Sequence, residues 1–269
     1  MSEAIERDPR TEHEAAASYT RLSRWYDRLG RSSEGPHIAE GLHLLDVQPG
    51  ERVLEVGFGT GRSLIALAHA VGSTGQVIGV DLAEGMIAVA REQLHKDAAQ
   101  ASSCPSAREA VGHPNDPTRD HADKSIGFPP RPARLRRDLA DKATTRGNDV
   151  VTLHRGSALH LPYATASFDA VFSSFMLDLI DTPDIPGVLS EMRRVLKPGG
   201  RLGLVSMSKA CAGNVVVKVY ERFHRWLPKV IDCRPIYLQS AVESAGLHCE
   251  VHQTRSMWGI PVEIVVATK

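Results

Sequence analysis

Residues 52–81 read RVLEVGFGTGRSLIALAHAVGSTGQVIGVD, and this stretch decides the fold of the chain. Residues 52–56 are aliphatic and β-branched, which is typical of a strand buried in a parallel sheet. Three glycines at every second position follow, and residues 63–71 then carry apolar side chains at helical spacing. The pattern predicts a strand, a sharp turn in which bare backbone can meet a ligand, and a helix whose free N–H groups face that turn. The turn consists of Gly57, Gly59 and Gly61 with the residues between them.

A second predicted strand, residues 76–80, ends at Asp81, twenty residues after Gly61. A carboxylate at this distance from a glycine loop is suited to accept hydrogen bonds from the hydroxyl groups of a ribose. The whole stretch is therefore interpreted as a βαβ unit that binds a nucleoside.

The glycine spacing separates two classes of nucleoside cofactor. In the dinucleotide fingerprint the third glycine comes three positions after the second, where the helix N-terminus receives a diphosphate. That position is Arg62 here, and Glu55 lies near the end of the first strand. An acidic residue followed by alternating glycines suits a ligand without phosphate and with a cationic amino group, such as S-adenosylmethionine. An NAD-dependent oxidoreductase, and a tight turn in some other α/β protein, are the less favoured interpretations.

At this point the sequence resembles the class I S-adenosylmethionine-dependent methyltransferases. The resemblance covers residues 15–96 and 149–269, and the segments LPYATASFDAVFSSF (161–175) and RRVLKPGGRLGL (193–204) are most similar to the ubiquinone/menaquinone-biosynthesis methyltransferase family. It implies an α/β, Rossmann-like fold: a seven-stranded, mostly parallel sheet with an antiparallel last strand, helices on both faces and an N-terminal helical lid. It also implies S-adenosylmethionine as the cofactor.

The resemblance implies a set of cofactor contacts. The glycine loop and Glu55 would surround the methionine part, and Asp81 would bind the ribose. Leu82 and Met86 are candidates to rest against the adenine, although a methionine at helical spacing is often plain core. The family commonly has Gly-Asp-Ala after the third strand, where this chain has Ser157 before Ala158, so the adenine contact there is a hydroxyl and a backbone N–H. Two further candidates are Ser174, at the carboxyl end of the fourth strand, and Tyr26, in the WYD segment of the predicted lid.

The predicted organisation is a helical lid over residues 1–46 and a methyltransferase domain over residues 47–269. Residues 97–148 interrupt that domain with a segment rich in Pro, Arg, Asp and Ser. Because helix-to-strand connections normally take only about 2–6 residues, this segment is predicted to be an insertion. Its composition favours a flexible surface excursion, and a flap over the substrate pocket or an oligomer contact is the alternative.

Methyl transfer from a sulfonium requires mainly proximity and alignment, and a base matters only if the acceptor carries a proton. Asp178 and His160 are candidates for that base by their location, and a structural role is the competing interpretation for each. No Asp/Asn set has metal-ligand spacing, so the reaction is predicted to be metal-independent. Aromatic residues in the predicted lid and in residues 215–227 favour a small, apolar acceptor such as a quinol or phenol, or else a thiol, methylated at oxygen, sulfur or carbon.

The composition is that of an ordinary globular protein. Of 269 residues 42% are hydrophobic and 24% charged, and the 32 basic residues balance 32 acidic ones, so no global charge favours nucleic acid. The N-terminus lacks an apolar signal segment, and no apolar run is long enough to cross a membrane, so a cytoplasmic protein with a small-molecule acceptor and no integral membrane segment is expected. A non-catalytic protein that binds S-adenosylmethionine as a sensor, or holds a partner, remains an alternative.

Overall fold

The computed structural model describes residues 33–103, 150–209 and 234–269, and these form one seven-stranded sheet flanked by helices. The strand order is β3-β2-β1-β4-β5-β7-β6. Strands β1 to β5 pair in parallel, and β7 pairs antiparallel with both β5 and β6. The strands are β1 Arg52–Val56, β2 Gln76–Asp81, β3 Val151–Arg155, β4 Phe168–Ser174, β5 Leu196–Met207, β6 His248–Met257 and β7 Ile260–Thr268. The predicted Rossmann-like sheet is confirmed.

Helices cover both faces of the sheet. In the described ranges they are α1 Gly35–Leu45, α2 Arg62–Val71, α3 Glu84–Ser103, α4 Ile185–Val195 and α5 Leu238–Ser244, with short 3₁₀ turns at Gly72–Thr74 and Leu177–Leu179. Residues of α1, α2 and α3 pack into one apolar cluster and those of α4 and α5 into another, one on each side of the sheet. Strand β1 is buried on both faces because both clusters include its side chains, as its continuous aliphatic run predicts.

Helix α1 runs antiparallel to β5. A Cβ built on Gly41 would lie 2.6 Å from Val205 Cγ2, and one built on Gly203, nearer the start of β5, would lie 3.2 Å from Leu45 Cδ2. Only a glycine at position 41 allows the helix to approach the strand so closely. Because of this direction, the first residues of α1 lie at the carboxyl end of β5.

Several element boundaries differ from the sequence prediction. Helix α3 continues through residues 97–103, which were assigned to the insertion, because this stretch contains helix-forming alanines and no proline. The sequence pattern predicts a fifth strand from Arg201, but β5 begins at Leu196, with a register irregularity opposite the start of β4. The last two strands, predicted over residues 248–253 and 262–267, are longer and join through Trp258 and Gly259, both at positive φ, which suits a two-residue hairpin.

Other predictions lie outside the described residues. These are the lid helix with Tyr26, residues 104–148 of the insertion, and the helix over residues 215–227. In the part of the chain that the structure describes, no helix combines the length and the apolar character needed to cross a bilayer.

Candidate functional site

All three glycines of the loop between β1 and α2 have positive φ angles, but two are closely packed and one is not. Gly57 and Gly61 have φ of 72° and 83°, and a Cβ on either would overlap a neighbour: Met176 Cγ at 2.3 Å and Ala90 Cβ at 2.7 Å respectively. Gly59 has φ of 53°, and a Cβ there would meet no atom within 4 Å. Two glycines are therefore fixed by packing, and the middle one borders open space where a ligand can approach the backbone.

Asp81 holds this loop against the start of α3. Its Oδ2 accepts a hydrogen bond from Gly59 N–H at 2.8 Å, and its Oδ1 accepts one from Ala83 N–H at 2.9 Å. Burial raises the pKa of the carboxyl, and the backbone N–H groups act in the opposite direction. Because each carboxylate oxygen has two lone pairs, Asp81 keeps acceptor capacity for hydroxyl groups of a ligand.

Glu55 is fully buried in β1 with half of its carboxyl group unpaired. Ser63, in the first turn of α2, donates its hydroxyl to Oε1, whereas Oε2 has no hydrogen-bond partner among the described residues. Burial raises the pKa of Glu55 to about 8, against the effect of the Ser63 hydrogen bond, and the charge of Asp81 raises it further. A buried acceptor without a partner costs stability, so Glu55 is a candidate binding group beside the glycine loop.

The residues expected near an adenine lie around the ends of β2 and β3. Leu82, Ala83 and Met86 form a small apolar cluster separate from the two main ones. Gly156 N–H donates to the Asp81 carbonyl at 3.0 Å, which brings the segment after β3 next to this cluster. Ser157 follows at once and its hydroxyl accepts a hydrogen bond from Leu159 N–H at 3.2 Å. Ala158 is partly buried against the apolar cluster that includes α4 and α5.

The end of β4 carries Ser174 and, in the following 3₁₀ turn, Asp178. Ser174 comes two residues after Phe172 in β4, so both side chains lie on the same face of the sheet, which α1 and α2 cover. Asp178 is fully buried, and neither carboxylate oxygen has a hydrogen-bond partner among the described residues. Burial raises its pKa to about 7; the peptide groups of Met207 and of Asp178 itself partly offset this, and the charge of Glu34 adds to it.

Glu34 and Arg62 belong to the same region, and the sequence interpretation missed Glu34. Burial raises the pKa of Glu34 to about 7, and the positive charge of Arg62 opposes that rise. Glu34 directly precedes α1, and Arg62 is the first residue of α2. The N-termini of both helices therefore lie at the carboxyl-terminal ends of the parallel strands, which form one edge of the sheet. No local pattern marks Glu34, because it comes close to Asp178 only through the packing of α1 on β5.

His160 lies elsewhere in the described structure. It is exposed, and its backbone N–H donates to the Ser157 carbonyl at 3.3 Å. No described contact joins His160 to Asp178. The role of His160 as a base stays a prediction, and its surroundings favour the structural alternative.

Metal ligands do not gather at this edge. Across residues 33–103, 150–209 and 234–269, no group of three or more His, Cys, Asp or Glu side chains could hold a metal ion.

Comparisons with known proteins agree with this geometry. Two family models, each described as a methyltransferase domain, match residues 131–204 and 53–115. Demethylmenaquinone methyltransferase of Bacillus cytotoxicus is 31% identical over 163 residues, which cover 61% of this chain and 47% of that protein. The same enzyme of Lactobacillus johnsonii is 28% identical over 215 residues, which cover 78% of this chain and 67% of that protein. In the first of these matches the chain spans about half the length of the curated relative.

A solved structure shows the same fold. An S-adenosylmethionine-dependent methyltransferase from Aquifex aeolicus superposes with a TM-score of 0.53 at 18% identity and covers 94% of this chain and 97% of that one. The family models cover the glycine loop and the β4–β5 segment, and the solved structure shares the fold. Together these matches support a class I S-adenosylmethionine-dependent methyltransferase near the demethylmenaquinone methyltransferases.

Proposed function

We propose that this protein transfers the methyl group of S-adenosylmethionine to a small acceptor molecule. The observation that carries the proposal is that Oε2 of the buried Glu55, beside the open backbone at Gly59, has no hydrogen-bond partner in residues 33–103, 150–209 and 234–269. A cationic amino group would give that oxygen its missing partner, and the bare backbone leaves room for the rest of the ligand. A diphosphate would instead bring negative charge toward Glu55 and Asp81, which is unfavourable.

The residues around the loop fit the remaining parts of the cofactor. Asp81 would accept hydrogen bonds from the ribose hydroxyls, in addition to the two backbone N–H groups that orient it. Leu82 and Met86 would contact the adenine face, with Ser157 and Ala158 at its edge. Ser174 would lie near the methionine end. When bound, the sulfonium supplies an already activated methyl group, so the protein contributes alignment and exclusion of water.

The names of the relatives support a class of acceptor. Proteins named demethylmenaquinone methyltransferase are similar to this chain over its glycine loop and its β4–β5 region, which favours a hydroxylated aromatic ring, a quinol or phenol, as the acceptor. A thiol is the alternative acceptor. The acceptor would approach from the carboxyl end of β4 and β5, where open α/β sheets bind their ligands.

Calorimetry and a turnover assay test the proposal. The protein is titrated with S-adenosylmethionine, S-adenosylhomocysteine and NADH, and binding of the first two without the third is expected. Conversion of S-adenosylmethionine to S-adenosylhomocysteine is then followed with a reduced short-chain naphthoquinone, a catechol and a small thiol. NADH binding alone would contradict the cofactor assignment, and binding without turnover on the whole panel would favour a sensor.

A further inference from the structure

Two carboxyl groups far apart in sequence, Asp178 and Glu34, lie toward the carboxyl-terminal ends of β4 and β5, where an acceptor would reach the cofactor. Asp178 follows β4, and the backbone hydrogen bonds around it connect that turn to residues beyond β5: Arg234 N–H donates to the Asp178 carbonyl at 2.7 Å. Glu34 precedes α1, whose antiparallel packing on β5 brings its first turn to the same edge. Burial is the main cause of the raised pKa of Asp178, and the negative charge of Glu34 adds to it.

The cations nearby are engaged with other groups. The Arg234 guanidinium forms an ion pair with Asp181 at 3.0 Å, so it is directed at that carboxylate. Arg62 acts electrostatically on Glu34. Asp178 itself faces peptide groups of the 3₁₀ turn and of Met207, and neither of its oxygens has a hydrogen-bond partner in the described ranges. Within the described ranges, the surroundings of this buried carboxyl are therefore peptide groups, and it forms no ion pair there.

We propose that Asp178, with Glu34 as its coupled neighbour, accepts the proton of the methyl acceptor, and that the acceptor therefore carries an O–H or S–H group. This inference rests on the proposed methyl transfer and extends it to the acceptor side. Asp178 would contact the acceptor, and Glu34 is a positioning residue that acts through Asp178.

The proposed step balances without a further reactant. The O–H or S–H proton of the acceptor moves to the ionised carboxylate of Asp178. The electron pair that it leaves forms the new bond to the methyl carbon, from the oxygen or sulfur or, in a phenolate or quinolate, from a conjugated ring carbon that then loses its own proton to solvent. The carbon–sulfur bond breaks, and its electron pair stays on the sulfur of S-adenosylhomocysteine. The carboxyl group then returns the proton to solvent. Burial suits Asp178 to this step, because a base whose pKa lies near the working pH is ionised in part and still holds the proton well.

The first test replaces Asp178 and varies the acceptor. Asp178→Asn is compared with Asp184→Asn, an exposed carboxylate on the same connection. Asp178→Asn should lower kcat on a phenol of ordinary pKa by roughly 100-fold or more, with little change in S-adenosylmethionine affinity. Nitrophenols that are already ionised at the assay pH should recover most of the lost rate, whereas a purely structural defect would lower all rates alike.

The second test uses Glu34. In Glu34→Gln the charge that raises the pKa of Asp178 is removed, so the acid limb of the kcat/KM profile should move to lower pH. An equal loss of rate at every pH, or an unmoved acid limb, would contradict the coupling between the two carboxyl groups.

A spectroscopic test does not need turnover. Near pH 6 the pair should hold a proton, so infrared difference spectra of wild type against Asp178→Asn should show the C=O stretch of a protonated carboxyl, shifted in Glu34→Gln. Spectra identical in that region would overturn the proposal even if methyl transfer is confirmed. If S-adenosylmethionine does not bind at all while this band is present, the proposed function fails and the carboxyl pair stands.

Discussion

Acidic side chains have opposite environments at the two ends of the parallel strands, which are called here the amino-terminal and the carboxyl-terminal edge of the sheet. At the amino-terminal edge, Asp169 accepts hydrogen bonds from Arg52 N–H at 2.9 Å and from Lys197 Nζ at 2.7 Å. Burial alone would raise its pKa, but the bonds and the charges of Lys197 and Arg201 outweigh burial and lower the pKa below its ordinary value. Glu51 is paired with Arg201 at 2.6 Å.

The carboxyl-terminal edge has the reverse pattern. Burial raises the pKa of Glu34, Glu55, Asp81 and Asp178, and the oxygens of Asp178 and one oxygen of Glu55 have no partner in the described structure. Natural proteins keep such unfavourable groups chiefly where a ligand completes them. The paired carboxylates at the amino-terminal edge stabilise the fold, and we propose that the buried carboxyl groups at the carboxyl-terminal edge serve ligand binding at some cost in stability.

The largest effect is expected when packing at the carboxyl-terminal edge is changed. Gly57→Ala combines a positive φ with a Cβ 2.3 Å from Met176 Cγ, so the free energy of unfolding should fall by about 4 kcal/mol or more. Chemical denaturation measures the loss. The matched control is Gly59→Ala, which has the positive φ but no overlap and should cost only about 1–2 kcal/mol. Equal losses would mean that Met176 moves aside.

The next effect depends on pH. Glu55 has its pKa raised from 4.5 to about 8 in the folded protein, so its contribution to stability is present below about pH 4.5 and is lost as the pH rises toward 8. Glu55→Gln mimics the neutral carboxyl. Its free energy of unfolding should therefore rise relative to that of wild type as the pH increases across this window, by at most about 1.4 kcal/mol per pH unit. Unfolding of both proteins at pH 5, 6.5 and 8 measures the difference. A constant difference would contradict the raised pKa.

Asp81→Ala tests the binding side of the same edge. It removes the oxygens that accept from Gly59 and Ala83 and, in our proposal, from the ribose. Affinity for S-adenosylmethionine should weaken by roughly 1–3 kcal/mol. Calorimetry with S-adenosylhomocysteine as a second ligand measures the change, and unchanged binding would show that the ribose lies elsewhere.

The smallest effect is expected at the amino-terminal edge. Asp169→Ala leaves Arg52 N–H and Lys197 without their acceptor, and because the pair is partly exposed the free energy of unfolding should fall by about 1–2 kcal/mol. This stabilisation is present above about pH 4 and is lost as the pH falls, since the folded-state pKa is lowered. Cofactor affinity should not change, and a loss of affinity would break the contrast between the two edges.

Much of the fold could be predicted from local patterns. The run from Arg52 to Val56, the three glycines and the helix after them gave the first strand, the turn and α2 with almost the observed bounds. The predicted bounds were wrong where pairing with a neighbouring strand lengthens an element beyond the residues whose local pattern indicates it. Strand β6 continues to Met257 because β7 pairs with it along its whole length, although residues 254–257 show no strong strand pattern.

The candidate site also contains residues that the sequence pattern indicates and residues that only the structure brings together. Glu55, the glycines and Asp81 could be proposed from spacing, because a βαβ unit brings its loop and its second strand end together by geometry. The sequence predicted this βαβ unit and a mostly parallel sheet, and the order of the strands in the sheet came from the structure. Only the tertiary structure brought Glu34 to Asp178 and separated both from His160. The physical reason is that the pKa of a carboxyl depends on desolvation and on charges supplied by distant elements, and no local pattern of residues records which elements those are.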